Sequence, residues 1–294
     1  MPTLERSERG GVGRAIAFLL TAAAVVVGVG VAMNQGLGPF PTPEGCTARV
    51  QGVEVELDPE QSENAAVISA VGVRRGLPAR AVSIALAAAF QESKLHNLDH
   101  GDRDSVGLFQ QRPSMGWGTE EQIADPYYAA NRFYDELEKV HGYETMRITE
   151  AAQRVQRSGF PEAYDDHAVD ARALASALTG YSPARFSCVV HRSGPSGQAP
   201  AVRRDLRHAF GRLPVRLGGP GLNVPVRARP QANNQLGWAV AHYLVAHANR
   251  LHIKEVAYDG KVWTAGKRSE RGWRDEEPRR RGVGRGRVHV VMHE

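Results

Sequence analysis

The chain is short of several things that would point elsewhere. Two of its 294 residues are cysteine, Cys46 and Cys188, so it can close one disulfide at most. Lysine supplies only five of its 37 basic residues, and the net charge of +5 rests on arginine. The basic tail Arg279-Arg280-Arg281, with Arg285 and Arg287, has no interleaved aromatics, and no recognition motif accompanies it. That argues against nucleic acid as a partner and leaves a solvated tail, or attraction to an anionic wall or membrane surface. No segment repeats, and residues 58–180 carry no clear strand pattern. His242, His247 and His252 are spaced by five and do not share a helix face, so neither a metal site nor a cofactor is expected.

What is present begins with an export signal. Ala15 to Met33 is a run without charge, preceded by Arg6, Arg9 and Arg14. It is about long enough to span a bilayer, with the basic side in the cytoplasm. The reading is a transmembrane anchor over 15–33 behind a cytoplasmic tail over 1–14. The alternative is a signal peptide cut after Ala32. Either way the remainder is exported, as the C-terminal part of a single-pass cell-membrane protein or as a secreted one. In such a compartment an even cysteine count predicts a Cys46–Cys188 bridge, against two buried free thiols.

Residues 34–45 are rich in Gly and Pro, a short stalk. Val50 to Leu57 is a candidate strand. Asp58-Pro59-Glu60-Gln61 reads as an N-cap, a first-turn Pro and a reciprocal capping residue, opening a helix toward Gly76. Leu77-Pro78 restarts the chain. His96 to Gly118 is loop, and Asp125-Pro126 opens a helix through Val140. Thr149 to Arg157 and Glu162 to Leu178 are two more, the last stopped by Gly180. Residues 191–222 read as linker, with a basic helix over Ala201 to Leu213. Beyond it, Leu236 to Leu251 reads as an amphipathic helix and Ile253 to Tyr258 as a strand. Asp259-Gly260 is a tight turn, Lys261 to Thr264 the returning strand, and Arg287 to His293 a last strand. The expected organisation is a mainly helical domain over 46–190 and a small α/β module over 223–294.

One residue stands out. Ala81 to Phe90 is apolar at almost every position, and Glu92 follows it. A helix apolar all round is a buried helix, and a carboxyl at its end sits at the edge of a dry core. Desolvation and the negative end of the helix dipole both disfavour a charged carboxyl. A protonated carboxylic acid is what a general acid for glycosidic bond cleavage needs. Alone, Glu92 reads more readily as a helix-terminal residue in a surface ion pair. Eighteen residues on, however, stands the Gln of Gly107-Leu108-Phe109-Gln110.

Glu92-Ser93, Gly107-Leu108-Phe109-Gln110 and Asp125-Pro126, followed by Ala130-Asn131-Arg132-Phe133-Tyr134, stand in one order and at one spacing. In this the region over about 60–180 resembles the lysozyme-like superfamily, in its soluble lytic transglycosylase type. The resemblance implies a mainly α, lysozyme-like domain and peptidoglycan glycan strands as substrate. It implies Glu92 as acid and then base on the bond between N-acetylmuramic acid and N-acetylglucosamine. The muramyl 6-hydroxyl then closes onto the anomeric carbon. It also implies substrate contacts from Ser93, Gly107, Leu108, Phe109 and Gln110, with Gln110 otherwise a structural loop hydrogen bond.

The family's Ala-Tyr-Asn-Ala-Gly run, whose Tyr lies near the catalytic Glu, is missing. In its place stands Ala152-Gln153-Arg154-Val155-Gln156-Arg157-Ser158-Gly159, and Gln153 or Gln156 is left for the polar role. Tyr164 is the nearest later aromatic, and the sequence does not assign it that role. Two alternatives follow: a non-catalytic wall-binding or scaffolding protein on the same fold, or an inverting muramidase using Asp99, Asp102 or Asp104 to activate water. The C-terminal module loosely resembles D-alanyl-D-alanine carboxypeptidase-like zinc peptidases, through Tyr258-Asp259-Gly260-Lys261-Val262-Trp263 and Val288-His289-Val290. It lacks their upstream His and Asp, which implies a degenerate, non-catalytic relative that binds wall peptide.

Overall fold

A computed structural model of the chain describes residues 42–157, 162–191, 196–218, 221–226, 230–277 and 286–293. The expected anchor over 15–33 and Arg279, Arg280, Arg281 and Arg285 of the tail lie outside these. Among the described residues no helix is long and apolar enough to cross a membrane. Glu44–Glu294 forms one compact unit of mixed α+β architecture.

The unit opens on a hairpin, β1 (Gly45–Val50) and β2 (Val53–Leu57). The candidate strand over 50–57 is therefore cut in two. Gln51 and Gly52 take φ of 50° and 85°, and consecutive positive φ is what a two-residue hairpin turn demands. β3 (Phe186–Val189) joins the other edge of β1 to give the antiparallel order β2-β1-β3. Cys46 and Cys188 stand directly opposite in that ladder and are joined by a disulfide, the bridge expected from export.

α1 (Pro59–Arg74) starts as the sequence predicts: Asp58 caps the amide of Gln61, and the Gln61 side chain returns to the Asp58 amide. α2 (Ala79–Ser93) is buried without a break from Ala81 to Ala89. Its surroundings explain why. α1, α4 (Pro126–Leu137), α5 (Ile148–Gln156) and α6 (Ala168–Leu178) all pack against it. A short α3 (Glu120–Ile123) precedes α4, and a 3-10 turn, Ala163–His167, leads into α6.

The stretch read as linker carries α7 (Ala199–Phe210) and β4 (Arg216–Gly218). The rest forms a six-stranded antiparallel sheet, ordered β4-β5-β9-β6-β7-β8, from β5 (Gly221–Pro225), β6 (Ile253–Tyr258), β7 (Lys261–Thr264), β8 (Arg274–Asp275) and β9 (Arg287–Met292). α8 (Pro230–Ala246) differs from its expected amphipathic character. It is buried continuously from Gly237 to Ala246. It lies between the sheet, through β6 and β9, and the helical layer, through α1 and α6, so over Gly237 to Ala246 no face is left for water.

Gly180, at φ 84°, lets this happen. A Cβ there would collide with the Gln235 carbonyl of α8. Trp263 and Trp273 reach across with their indole N–H groups to the carbonyls of Cys188 and Phe186 in β3, at 3.0 and 2.7 Å. A polar chain completes the seam. Tyr127 of α4 meets Tyr243 of α8 at 2.6 Å, and Tyr243 donates to Asp205 of α7. Arg250 then bridges Asp205 and Glu63 of α1. Burial, with the nearby Asp205 charge, pushes the Tyr127 hydroxyl up to about 12, so it stays a donor.

Candidate active site

Glu92 stands one residue from the end of α2, half-buried, where the buried helix comes to the surface. α2 stops there because Lys94 and Leu95 take φ of 52° and 63°, turning the chain back so that Leu95 is buried and its amide reaches the Ala89 carbonyl.

The 3-10 turn before α6 brings up the residue the sequence left unassigned. The Tyr164 ring is wholly buried, and its hydroxyl donates to Glu92 Oε1 at 2.7 Å. The sequence offered only Gln153 and Gln156 for a polar role beside Glu92. Nothing local marks Tyr164, because it meets Glu92 only when the turn packs on α2. Beside it, His167 stacks on Phe90 with ring centroids 5.5 Å apart and faces the Gln91 amide oxygen at 3.2 Å.

The Gly107–Gln110 loop is fastened from both sides. Ser93 Oγ donates to the Leu108 carbonyl at 2.7 Å and to the Ala89 carbonyl at 3.1 Å. Gln156 Nε2 donates to the Phe109 carbonyl at 2.7 Å. Ser93 is thus a buried clamp, and Gln156 ties α5 to the loop. Leu108 and Phe109 are wholly buried, with Phe109 stacked on Phe133 at 4.7 Å. Gly107 sits at φ 78°, and a Cβ there would press the Ile123 carbonyl at 2.8 Å. That close approach explains the glycine.

Gln110 is the loop member that faces outward. Its amide is held loosely, at 3.3 Å from the carbonyls of His100 and Gly107. With Gln156 it lines a groove of about 710 Å³ whose walls include Trp117, Met115, Arg112 and Arg154.

The three loop acids differ in what surrounds them. Asp104 accepts from Arg112 Nε at 2.8 Å, from the Ser114 amide at 2.8 Å and from Ser114 Oγ at 3.0 Å. The Arg112 and Ser114 hydrogen bonds hold its carboxyl far below the usual carboxylate range. Asp99 pairs with His100 at 2.7 Å, which lowers it too. The Asp102 side chain is 92% exposed. Among the described residues no group of His, Cys, Asp and Glu is placed to hold a metal ion.

The arrangement can carry one proton in and out. The helix end orients Glu92, and Tyr164 fixes one of its oxygens. Among the described residues nothing hydrogen-bonds the other, Oε2, which is free for a partner from outside.

Comparison with known families touches another part of the chain. A family model described as "VldE, C-terminal domain" matches residues 219–285. That stretch takes in β5, α8, β6, β7 and β8, but not β4 or β9. Glu92, Tyr164 and the Gly107–Gln110 loop all lie outside it. No curated protein matches the chain. The match to that C-terminal domain therefore falls within the sheet module.

Proposed function

We propose that this protein is a membrane-anchored, extracellular peptidoglycan lytic transglycosylase with a lysozyme-like helical domain. The observation that carries the reading is the Tyr164–Glu92 hydrogen bond, 2.7 Å long, next to a loop pinned by Ser93 and Gln156. A Glu alone at a helix end would be unremarkable. One oriented by a buried phenol, beside a fastened loop, has the arrangement expected of an acid–base group; the groove nearby in sequence is lined by Gln110 and Gln156 and not by Glu92 itself.

In this mechanism Glu92 Oε2 gives its proton to the glycosidic oxygen between N-acetylmuramic acid and N-acetylglucosamine. The C1–O bond breaks, and charge develops on the anomeric carbon. Tyr164, donating to Oε1, steadies the carboxylate that remains. That carboxylate next takes the proton of the muramyl 6-hydroxyl. The oxygen closes onto C1, giving a 1,6-anhydro end and returning Glu92 to its starting state. One carboxyl serves both steps, so no second carboxylate and no activated water are required. A water-activating base would have to come from the loop acids: Asp104 already spends both oxygens on Arg112 and Ser114, Asp99 pairs with His100, and Asp102, which borders the groove, is 92% exposed. This favours the transglycosylase over the inverting muramidase.

The test is product analysis of purified sacculi digested with the protein. Muropeptides ending in 1,6-anhydro-muramic acid are expected, and Glu92→Gln should abolish their release, because an amide keeps the shape but delivers no proton. Borohydride-reducible muramic ends as the main product would overturn the transglycosylase in favour of a muramidase. No soluble product from the folded protein would favour the wall-binding alternative.

A further inference from the structure

The arginines of the compact unit fall into two sets. Several around the groove are paired: Arg112 with Asp104, Arg132 with Asp135, Arg154 with Glu150. Those on and just after α7 are not. Arg204, Arg207, Arg212 and Arg216 are exposed, and among the described residues none has an acidic partner. The sequence makes this unavoidable. Between Phe186 and Lys254 the single acidic residue is Asp205. Its two oxygens are taken by Tyr243 and Arg250.

α7 buries Val202, Leu206, Ala209 and Phe210, which leaves Arg204 and Arg207 on its outer side. Arg207 and Arg212 border one shallow hollow with Gly211, Leu213 and Pro214. Arg74 of α1 adds a further exposed charge, its guanidinium donating to the His208 carbonyl at 2.6 Å. Next along the chain is β4, an edge strand with β5 as its only neighbour, and Leu217 in it is 49% exposed. Like charges held together without partners repel, and the repulsion is relieved when an anionic surface meets them.

The position of this face is also informative. The chain enters the compact unit at Glu44, whose carboxylate accepts from Asn249 at 2.9 Å. The next residue, Arg250, reaches Asp205 on α7. Glu44 therefore lies near the Asp205 side of α7. The charges run along a helix and on to an edge strand beside an exposed leucine. Only Arg207 and Arg212 share a hollow, and it is shallow, so the set suits a sheet of phosphates better than one bound molecule.

We propose that this face docks the unit on an anionic bilayer surface. Arg74, Arg204, Arg207 and Arg212 engage lipid phosphates, for which a guanidinium is well shaped, and Leu217 enters the interface. The inference is independent of the chemistry at Glu92.

The experiment mixes the full chain with vesicles of phosphatidylcholine alone, or of phosphatidylcholine with phosphatidylglycerol. Hydrogen exchange is then followed by mass spectrometry. Peptides within 199–218 should be protected by the anionic vesicles, less so as salt rises, while those covering Ile253–Thr264 stay unchanged. Arg207→Gln with Arg212→Gln should raise the lipid concentration for half-protection by more than about tenfold, at roughly fivefold per arginine. Equal exchange with the two vesicle types would overturn the proposal. So would protection by soluble inorganic polyphosphate without protection by anionic vesicles, which would reassign the face to a soluble polyanion. Should the double variant fail to fold, wild-type protection that ignores salt is an equally decisive negative. Release of muropeptides from sacculi is measured separately, so loss of the lytic reading leaves this result standing.

Discussion

Tyr164→Phe is the sharpest probe of the site. It removes one buried hydroxyl, whose oxygen lies 2.7 Å from Glu92 Oε1, and keeps the ring that fills the space. A hydrogen bond to a charged group contributes about 1.5–3 kcal/mol. If it is made to the carboxylate that develops after proton transfer, its loss falls on the transition state and not on substrate binding. The rate of muropeptide release should then drop by about 10- to 150-fold. The fold should be only slightly affected, because Glu92 is half-buried and water can replace the lost donor. Two controls tie the effect to Glu92. Circular dichroism should give Tyr164→Phe and wild type the same spectrum. In a Glu92→Gln background Tyr164→Phe should cost little more, since groups that act as a unit are not additive. A folded Tyr164→Phe protein that releases muropeptides at the wild-type rate would refute the reasoning, and would reduce the Tyr164–Glu92 contact to packing.

Other consequences can be measured directly. Replacing Cys46 and Cys188 by Ser opens a loop with a sequence separation of 142 and should lower stability by up to about 5 kcal/mol in the chain-entropy picture. An unchanged denaturant midpoint would show that the β1–β3 ladder holds without the bridge. Burial lowers His242 from 6.5 to about 4 despite its contact with the Ala177 carbonyl. The folded value lies below the unfolded one, so the unfolded chain binds more protons between those pH values and stability falls as pH drops through that window. His242 should contribute a loss on the order of 3 kcal/mol between pH 7 and pH 4. A His242→Phe variant with the same acid dependence as wild type would contradict this. Asp104→Asn should leave the product ends 1,6-anhydro, because Asp104 braces Arg112 and Ser114; a switch in end chemistry would make it catalytic after all.

Local patterns carried much of this architecture. The capping box at Asp58, the unbroken apolar run that buries α2, and the strands Ile253–Tyr258 and Lys261–Thr264 with their Asp259-Gly260 turn follow from residues within a few positions of one another. The same run put Glu92 at the boundary of the core, since a helix buried all round must surface at its end. The disulfide followed from compartment and count, and its place in the ladder from β1 pairing with β3. What tertiary structure alone decided lies across long sequence separations. Tyr164 is 72 residues from Glu92 and meets it only because a 3-10 turn lands on α2. α8 reads as amphipathic by itself and is buried continuously from Gly237 to Ala246 because a sheet and a helical layer close on it from opposite directions. β9 lies between β5 and β6, an order with no local signal. The arginines of α7 could be counted in the sequence. That none has an acidic partner among the described residues was settled when Asp205, the only acid near them in the chain, turned inward to Tyr243 and Arg250.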